Sequence, residues 1–222
     1  MNRVKSLFPQ VAPEQWHLLE QMAECHREWN EKINLVSRKD IGNLEWHHYA
    51  PCIAAVGFIK LMDGARVLDV GTGGGLPGLI LAVLYPQAQF TLVDSVGKKI
   101  RVVSDIISQL RLRNVEAVNA RVEALDKEYD FATGRAVTSL PQFAQWTRPR
   151  VRRGAKHSRE NGVLYWKGGS LAAEEAASGV KPSAVLSLEE TLGDACFFEK
   201  YIVHYSWKDL ARIPREKKEG AD

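Results

Sequence analysis

The sequence predicts an α/β fold, a seven-stranded and mainly parallel sheet with an N-terminal helical extension, and three observations carry that prediction. From Arg66 onward, apolar strand-like runs alternate with amphipathic stretches, the order that builds parallel βαβ units. A glycine-rich turn, LDVGTGGGLPG at residues 68–78, follows the first of those runs. Before residue 61 the texture is helical, with apolar residues three to four apart.

Pro13-Glu14 opens a helix that carries Trp16, Leu19, Met22, Ala23 and His26 up to Trp29-Asn30, because proline costs nothing in a first turn. A second helical pattern runs from Asn43 to Lys60, interrupted by Pro51. Strands are expected over Arg66–Val70, Phe90–Val93, Val115–Asn119, Tyr129–Thr133, Gly162–Trp166, Ala184–Leu188 and Phe197–Tyr205. Between them, helices are expected over Leu76–Tyr85, Lys98–Leu112, Leu140–Thr147 and Leu171–Ser178. The chain then divides into a helical extension (1–60), one sheet domain (61–210) and a polar, frayed tail (211–222) ending in REKKEGAD.

Composition excludes several classes. Apolar residues at 45% and charged residues at 26% suit a globular domain, and 222 residues suffice for one sizeable core. The net charge of +3 is too small to prove a nucleic-acid partner, yet Arg148, Arg150, Arg152, Arg153, Lys156 and Arg159 form a run without an acidic residue. That run reads either as a loop gripping phosphates or as a solvated surface. Cys25, Cys52 and Cys196 are odd in number and lack any CxxC pairing, which fits neither a disulfide framework nor a zinc site. His47-His48 has no acidic or thiolate ligand at metal spacing, so no metal is expected. With no signal-like N-terminus and no apolar run longer than Leu79 to Tyr85, a cytoplasmic location without membrane contact is expected.

The glycine turn satisfies two patterns. Gly71-x-Gly73-x-Gly75 is the loop of S-adenosylmethionine enzymes, and Gly73-x-Gly75-x-x-Gly78 satisfies the dinucleotide fingerprint. Bare glycines would let backbone N–H groups and a helix N-terminus approach the ligand. Asp94 closes the second strand, where a carboxylate takes ribose hydroxyls in either case. Asp69, just inside the turn, would repel a pyrophosphate and suit a cationic sulfonium, or it braces the loop. No GK[ST] follows, which excludes a Walker loop. Three functions stay open on these residues: a methyltransferase, an NAD-dependent oxidoreductase, and a nonenzymatic RNA-binding or ribosome-assembly factor.

Trp29-Asn30-Glu31-Lys32-Ile33-Asn34-Leu35, His47-His48, LDVGTGGGLPG, LVDSVGKK, ARVEAL, GRAVTSL and YWKGG, in that order, resemble the bacterial small-subunit ribosomal RNA guanine-N7 methyltransferases, the GidB or RsmG family. The resemblance spans roughly residues 27–205. It implies a Rossmann-like class I methyltransferase fold and methyl transfer from S-adenosylmethionine to N7 of one guanine in 16S rRNA, by a monomer acting on the RNA or the small subunit. It also implies cofactor contacts at Gly71 and Leu76, at Val122-Glu123 and at Arg135. Gly73 in the loop pattern and Asp94 as ribose acid complete the expected set. Ala50-Pro51-Cys52 departs from the family, which often has Asp or His before a Ser there.

Guanine N7 carries a lone pair and no proton, so alignment replaces a general base as the main requirement. Arg135, expected at the rim of the crevice, is the candidate catalytic residue. A fork over both O6 and N7 would block attack, which favours a carboxylate or an RNA phosphate as its partner. Arg38, Lys39, His47 and His48 form a second candidate RNA patch, Trp29 and Trp46 could stack on bases or belong to the core, and Lys167-Gly168-Gly169 could bring a cation to the RNA.

Overall fold

The computed structural model describes residues 1–214. Seven strands form one sheet: β1 (Arg66–Val70), β2 (Gln89–Asp94), β3 (Val115–Asn119), β4 (Phe131–Arg135), β5 (Gly162–Gly168), β6 (Ala184–Ser187) and β7 (Lys200–Ser206), in the order β3-β2-β1-β4-β5-β7-β6. The first five run parallel to one another. β7 runs antiparallel to both β5 and β6, which makes the sheet mainly parallel, as the alternation predicts.

Helices occupy the segments where the period predicts them, and further short ones appear besides. They are α1 (Asn2–Leu7), α2 (Pro13–Lys32), α3 (Ala50–Ile53), α4 (Gly78–Leu84), α5 (Gly97–Gln109), α6 (Leu140–Thr147), α7 (Leu171–Ser178), α8 (Leu188–Leu192) and α9 (Trp207–Arg212). Serine caps fix the start of α6 and α7, where Ser139 Oγ accepts from Gln142 N and Ser170 Oγ from Ala173 N. Helices α1, α8 and α9 are too short to print a period in the sequence. Ala211 and Arg212, expected in the polar tail, belong to α9. Residues 215–222 lie outside the described residues.

Several boundaries depart from expectation for local reasons. The stretch before α4 is turn rather than helix up to Pro77, since Thr72 O accepts from both Gly75 N (2.8 Å) and Leu76 N (3.2 Å). β4 starts at Phe131 because Tyr129 pairs with the 150–152 segment instead, donating to Arg150 O and accepting from Arg152 N. β7 starts at Lys200 because a 3-10 turn, Ala195–Phe197, is capped by Asp194. Residues 41–57 form a 3-10 turn (Ile41–Asn43), a π-helical turn (Leu44–Tyr49), α3 and a second 3-10 turn (Ala54–Gly57), and Pro51 sits in the first turn of α3 without breaking it.

Alternation along the strands divides the core between two faces. Val67, Phe90, Leu92, Leu164 and Trp166 face α4, α5 and the N-terminal helices. Leu68, Val70, Val93, Val163 and Tyr165 face α6 and α9. The N-terminal extension therefore shares a core with the sheet instead of standing apart.

At Gly78 the helix α4 crosses the sheet so closely that a Cβ would lie 2.7 Å from both Asp69 Oδ2 and Leu92 Cγ. Gly78→Ala is expected to cost about 1–3 kcal/mol through overpacking, read as a lower urea midpoint. An unchanged midpoint would show that α4 can shift without loss.

Candidate active site

From β1 the sheet extends to β2 on one side and to β4 on the other, so a crevice opens at the carboxyl ends of these strands. Val70, Gly71, Asp94, Val122, Glu123 and Ala136 help line the groove there. Gly71 has φ +64°, and a Cβ on it would sit 3.0 Å from Val137 Cγ1, so a side chain there would be both strained and crowded. Asp94 is 7% exposed. Its Oδ2 accepts from Gly73 N (3.0 Å) and its Oδ1 from Val96 N (2.9 Å), so the carboxylate holds the glycine turn against the end of β2.

Asp69 has a different task from the one its charge suggests. It is fully buried and accepts from Thr72 Oγ1 (2.5 Å), Thr133 Oγ1 (2.7 Å) and Gly78 N (3.1 Å). The expectation that it faces a cationic ligand is thereby corrected: it braces the loop from below. Burial pushes its pKa up to about 6, against the pull of those donors. The loop's own N–H groups are also largely occupied, with Thr72 N on Val93 O, Gly73 N on Asp94, and Gly75 N and Leu76 N on Thr72 O. A ligand therefore meets the groove walls more than a cradle of free amides.

The N-terminal extension clamps this turn from above. His26 Nε2 donates to Gly74 O (2.6 Å), which leaves Nδ1 to accept from the Tyr49 hydroxyl (2.6 Å). Asn30 Oδ1 accepts from Leu35 N and Val36 N, both at 2.8 Å, and turns the chain after α2. Leu35 then lies where a Cβ on Gly74 would touch it, at 3.6 Å. In the sequence His26 falls on a helix stripe and Asn30 within the WNEKINL motif, and neither contact is legible there. Only the apolar–polar adjacency of His26 to the buried stripe hinted at it.

Arg135 closes β4 with its guanidinium turned toward the His47-His48 segment. Nη1 donates to His48 O (3.1 Å), and Nη2 lies 3.0 Å from His48 Nδ1. His48 Nε2 donates in turn to Asp40 Oδ2 (2.7 Å), while His47 Nδ1 meets Asp40 Oδ1 (2.5 Å). This order is consistent only with a neutral His48 that accepts from Arg135. Burial first, then the Arg135 charge, holds the His48 pKa below its ordinary value. Asp40, absent from the expected residues, thus anchors the line Asp40–His48–Arg135. Cys52 in the departing Ala50-Pro51-Cys52 stretch donates to His48 O (3.1 Å) and is buried, and Pro51 O accepts from Trp166 Nε1 (2.8 Å).

The expected site residues therefore fall into two groups. Gly71, Asp94, Val122 and Glu123 line one groove, and Gly73 stands behind it as a donor to Asp94. Leu76 packs against the core on the α4 face, and Arg135 lines a neighbouring cavity. The basic run is mostly tied into the protein. Arg152 forms a two-point ion pair with buried Asp130 (2.8 Å), Arg150 donates to Glu123 O, Arg148 to Ile213 O, and Arg159 to Phe58 O. Four of its arginines are thus committed to contacts within the protein, and Arg153 and Lys156 alone among the cations of that run stay exposed. Trp29 donates to Asp105 (2.7 Å), and Trp46 packs on Phe197 beneath Arg3, so both aromatics are held by the protein. Lys167 pairs with Glu174 (2.6 Å).

A family model named GidB, described as rRNA small subunit methyltransferase G, matches residues 15–191. The chain belongs to this family. It is 38% identical over 208 residues to the ribosomal RNA small subunit methyltransferase G of Christiangramia forsetii, covering 94% of this chain and 98% of that protein. The protein of the same name from Bacteroides fragilis is 35% identical over 204 residues, covering 92% and 98%. In fold, the chain is similar to MtNAS solved in complex with S-adenosylmethionine, at TM-score 0.52 and 14% identity over 90% of this chain and 80% of that one. A fibrillarin/Nop5p complex gives TM-score 0.51 at 13% identity, over 70% and 80%. In this GidB-family chain the quoted motifs converge in space: WNEKINL and LDVGTGGGLPG meet at Leu35 and Gly74, and His47-His48 meets GRAVTSL at Arg135.

Burial pushes the His26 imidazole down to about 4 from 6.5. In the unfolded chain it takes a proton near pH 6.5 that the native state refuses until about pH 4, so its contribution is complete above 6.5 and is lost as pH falls toward 4. Asp69, raised to about 6, works in the opposite sense over part of that window. His26→Gln keeps a donor and an acceptor without titrating. The stability of the wild type minus that of His26→Gln should fall by roughly 2–4 kcal/mol between neutral pH and pH 4; a pH-independent difference in urea melts would contradict it.

Proposed function

We propose that this protein transfers a methyl group from S-adenosylmethionine to N7 of a specific guanine in 16S rRNA, alone or within the small ribosomal subunit, as a monomer in the cytoplasm. The observation that carries the reading is the groove at the carboxyl ends of β1 and β2, with Asp94 at its edge, in a chain of the GidB family.

The residues present suit the donor. Asp94 would take the ribose hydroxyls, since each carboxylate oxygen that binds one backbone N–H keeps a further acceptor position. Val122 and Ala120 offer apolar walls to a purine ring, and Gly71 leaves the floor bare. Bound there, S-adenosylmethionine supplies a methyl group on a positively charged sulfur.

What remains for the chain is positioning. Guanine N7 brings a lone pair and no proton, so no side chain has to accept one. His47, the imidazole that lines the neighbouring cavity, meets Asp40 through Nδ1, and His48 behind it is engaged on both nitrogens by Asp40 and Arg135, which suits it to hold Arg135. Arg135 stands beside Ala136, the residue between groove and neighbouring cavity, where a fixed cation orients an anionic or carbonyl-bearing partner. Holding the reactants in line can supply about 7–11 kcal/mol of the barrier.

Incubation with methyl-labelled S-adenosylmethionine and unmodified small-subunit RNA should place the label on guanine N7. No label in RNA, or label on another atom, would refute the reading. Asp94→Asn should raise the dissociation constant for S-adenosylmethionine by about 10- to 100-fold in calorimetry, with some loss of stability because the carboxylate also holds Gly73 and Val96. Unchanged affinity would remove Asp94 from the donor site.

A further inference from the structure

The groove ends at Ala136, and a second cavity begins there. Among the described residues Ala136 is the one that lines both, at φ +51°. Left-handed backbone is uncommon for alanine. Hydrogen bonds to the next two residues hold it in place: the Tyr165 hydroxyl accepts from Val137 N and Thr138 N at 3.3 and 3.2 Å and donates to Thr138 O at 2.7 Å. The chain leaving β4 is thereby bent so that a single small residue separates the two spaces.

The second cavity differs from the groove in chemistry. Arg135, Lys167 and Lys200 bring three cations to its lining, Trp166 and Tyr201 bring two aromatic side chains, and among the described residues no carboxylate side chain lines it. Trp166 is fixed through its indole N–H on Pro51 O, and Lys167 is paired with Glu174. Lys200 is exposed; it donates to the backbone carbonyl of Cys196 (2.7 Å) and stands 5.4 Å from the Phe197 ring, with no carboxylate partner among the described residues.

We infer that this cavity seats the acceptor base, a guanine turned out of a single-stranded RNA segment, and that Lys200 selects guanine by meeting its O6. The inference rests on the proposed methyl transfer. An atom inside a base stack cannot be reached, so the base must leave it, and unpaired bases are those that splay out onto aromatic side chains. On the edge that carries N7, guanine offers two acceptors, O6 and N7, whereas adenine offers N7 and an amino donor. A lining of donors without a carboxylate suits the first and opposes the second. N7 must stay open toward the groove, and a lysine, being a point charge, can satisfy O6 without covering N7 as an arginine fork would.

The test uses the full chain. The labelled methyl is first mapped on small-subunit RNA, and that RNA is then rebuilt with 2-aminopurine, which keeps N7 and lacks O6, at the mapped nucleotide. Lys200→Ala should lower kcat/KM about tenfold on the guanine RNA and by less than about twofold on the 2-aminopurine RNA, with melting temperature and S-adenosylmethionine affinity unchanged. Equal losses on the two RNAs, or no loss on either, would overturn the assignment of Lys200 while leaving methyl transfer intact. A wild-type protein that labels no RNA would refute the methyl-transfer reading itself, and the cavity assignment with it.

Discussion

The site depends on one buried carboxylate. Asp69 lies at the end of β1 with no exposure, and an ion there is tolerable only because it is fully engaged. Its three donors belong to three elements: Thr72 in the turn, Gly78 at the start of α4, and Thr133 on β4. One side chain thus fixes the glycine turn to the neighbouring strand and to the helix behind it. Gly78 has no side chain for the same reason, since α4 must approach Asp69 and Leu92.

The turn so braced is then gripped from the other side by the N-terminal extension. His26 holds the Gly74 carbonyl, Leu35 rests against Gly74, and Asp40 reaches Arg135 through His48. These contacts tie the helical segment to the glycine turn and to the end of β4. Its polar residues shape the groove from outside, and its apolar residues share one core with α4 and α5.

Charge is used in two ways. Four arginines of the basic run hold backbone carbonyls or the buried Asp130, which ties the connector between α6 and β5 to the bottom of the sheet. The cations that keep solvent access are Arg153 and Lys156 within that run and others outside it, including Lys200 beside Ala136 and Arg38 and Lys39 in the extension. A cluster of like charges in sequence therefore gives little guidance to where RNA meets this protein. What matters is which of those charges already have partners.

The sequence by itself determined the sheet class, the boundaries of α6 and α7, the glycine turn after β1, and the acid closing β2. All of these follow from short-range causes: alternation at period two or 3.6, serine caps, and glycines where the backbone needs them. The ordered motifs also reached the family. The tertiary structure alone decided that Asp69 points inward, that Leu76 packs against the core on the α4 face and Arg135 turns toward His48, and that Arg150 and Arg152 hold contacts within the protein. Direction is the reason: spacing along a chain records which residues share a strand or a helix face, whereas the partner of a charged side chain comes from another element tens of residues away and becomes visible only when the two meet.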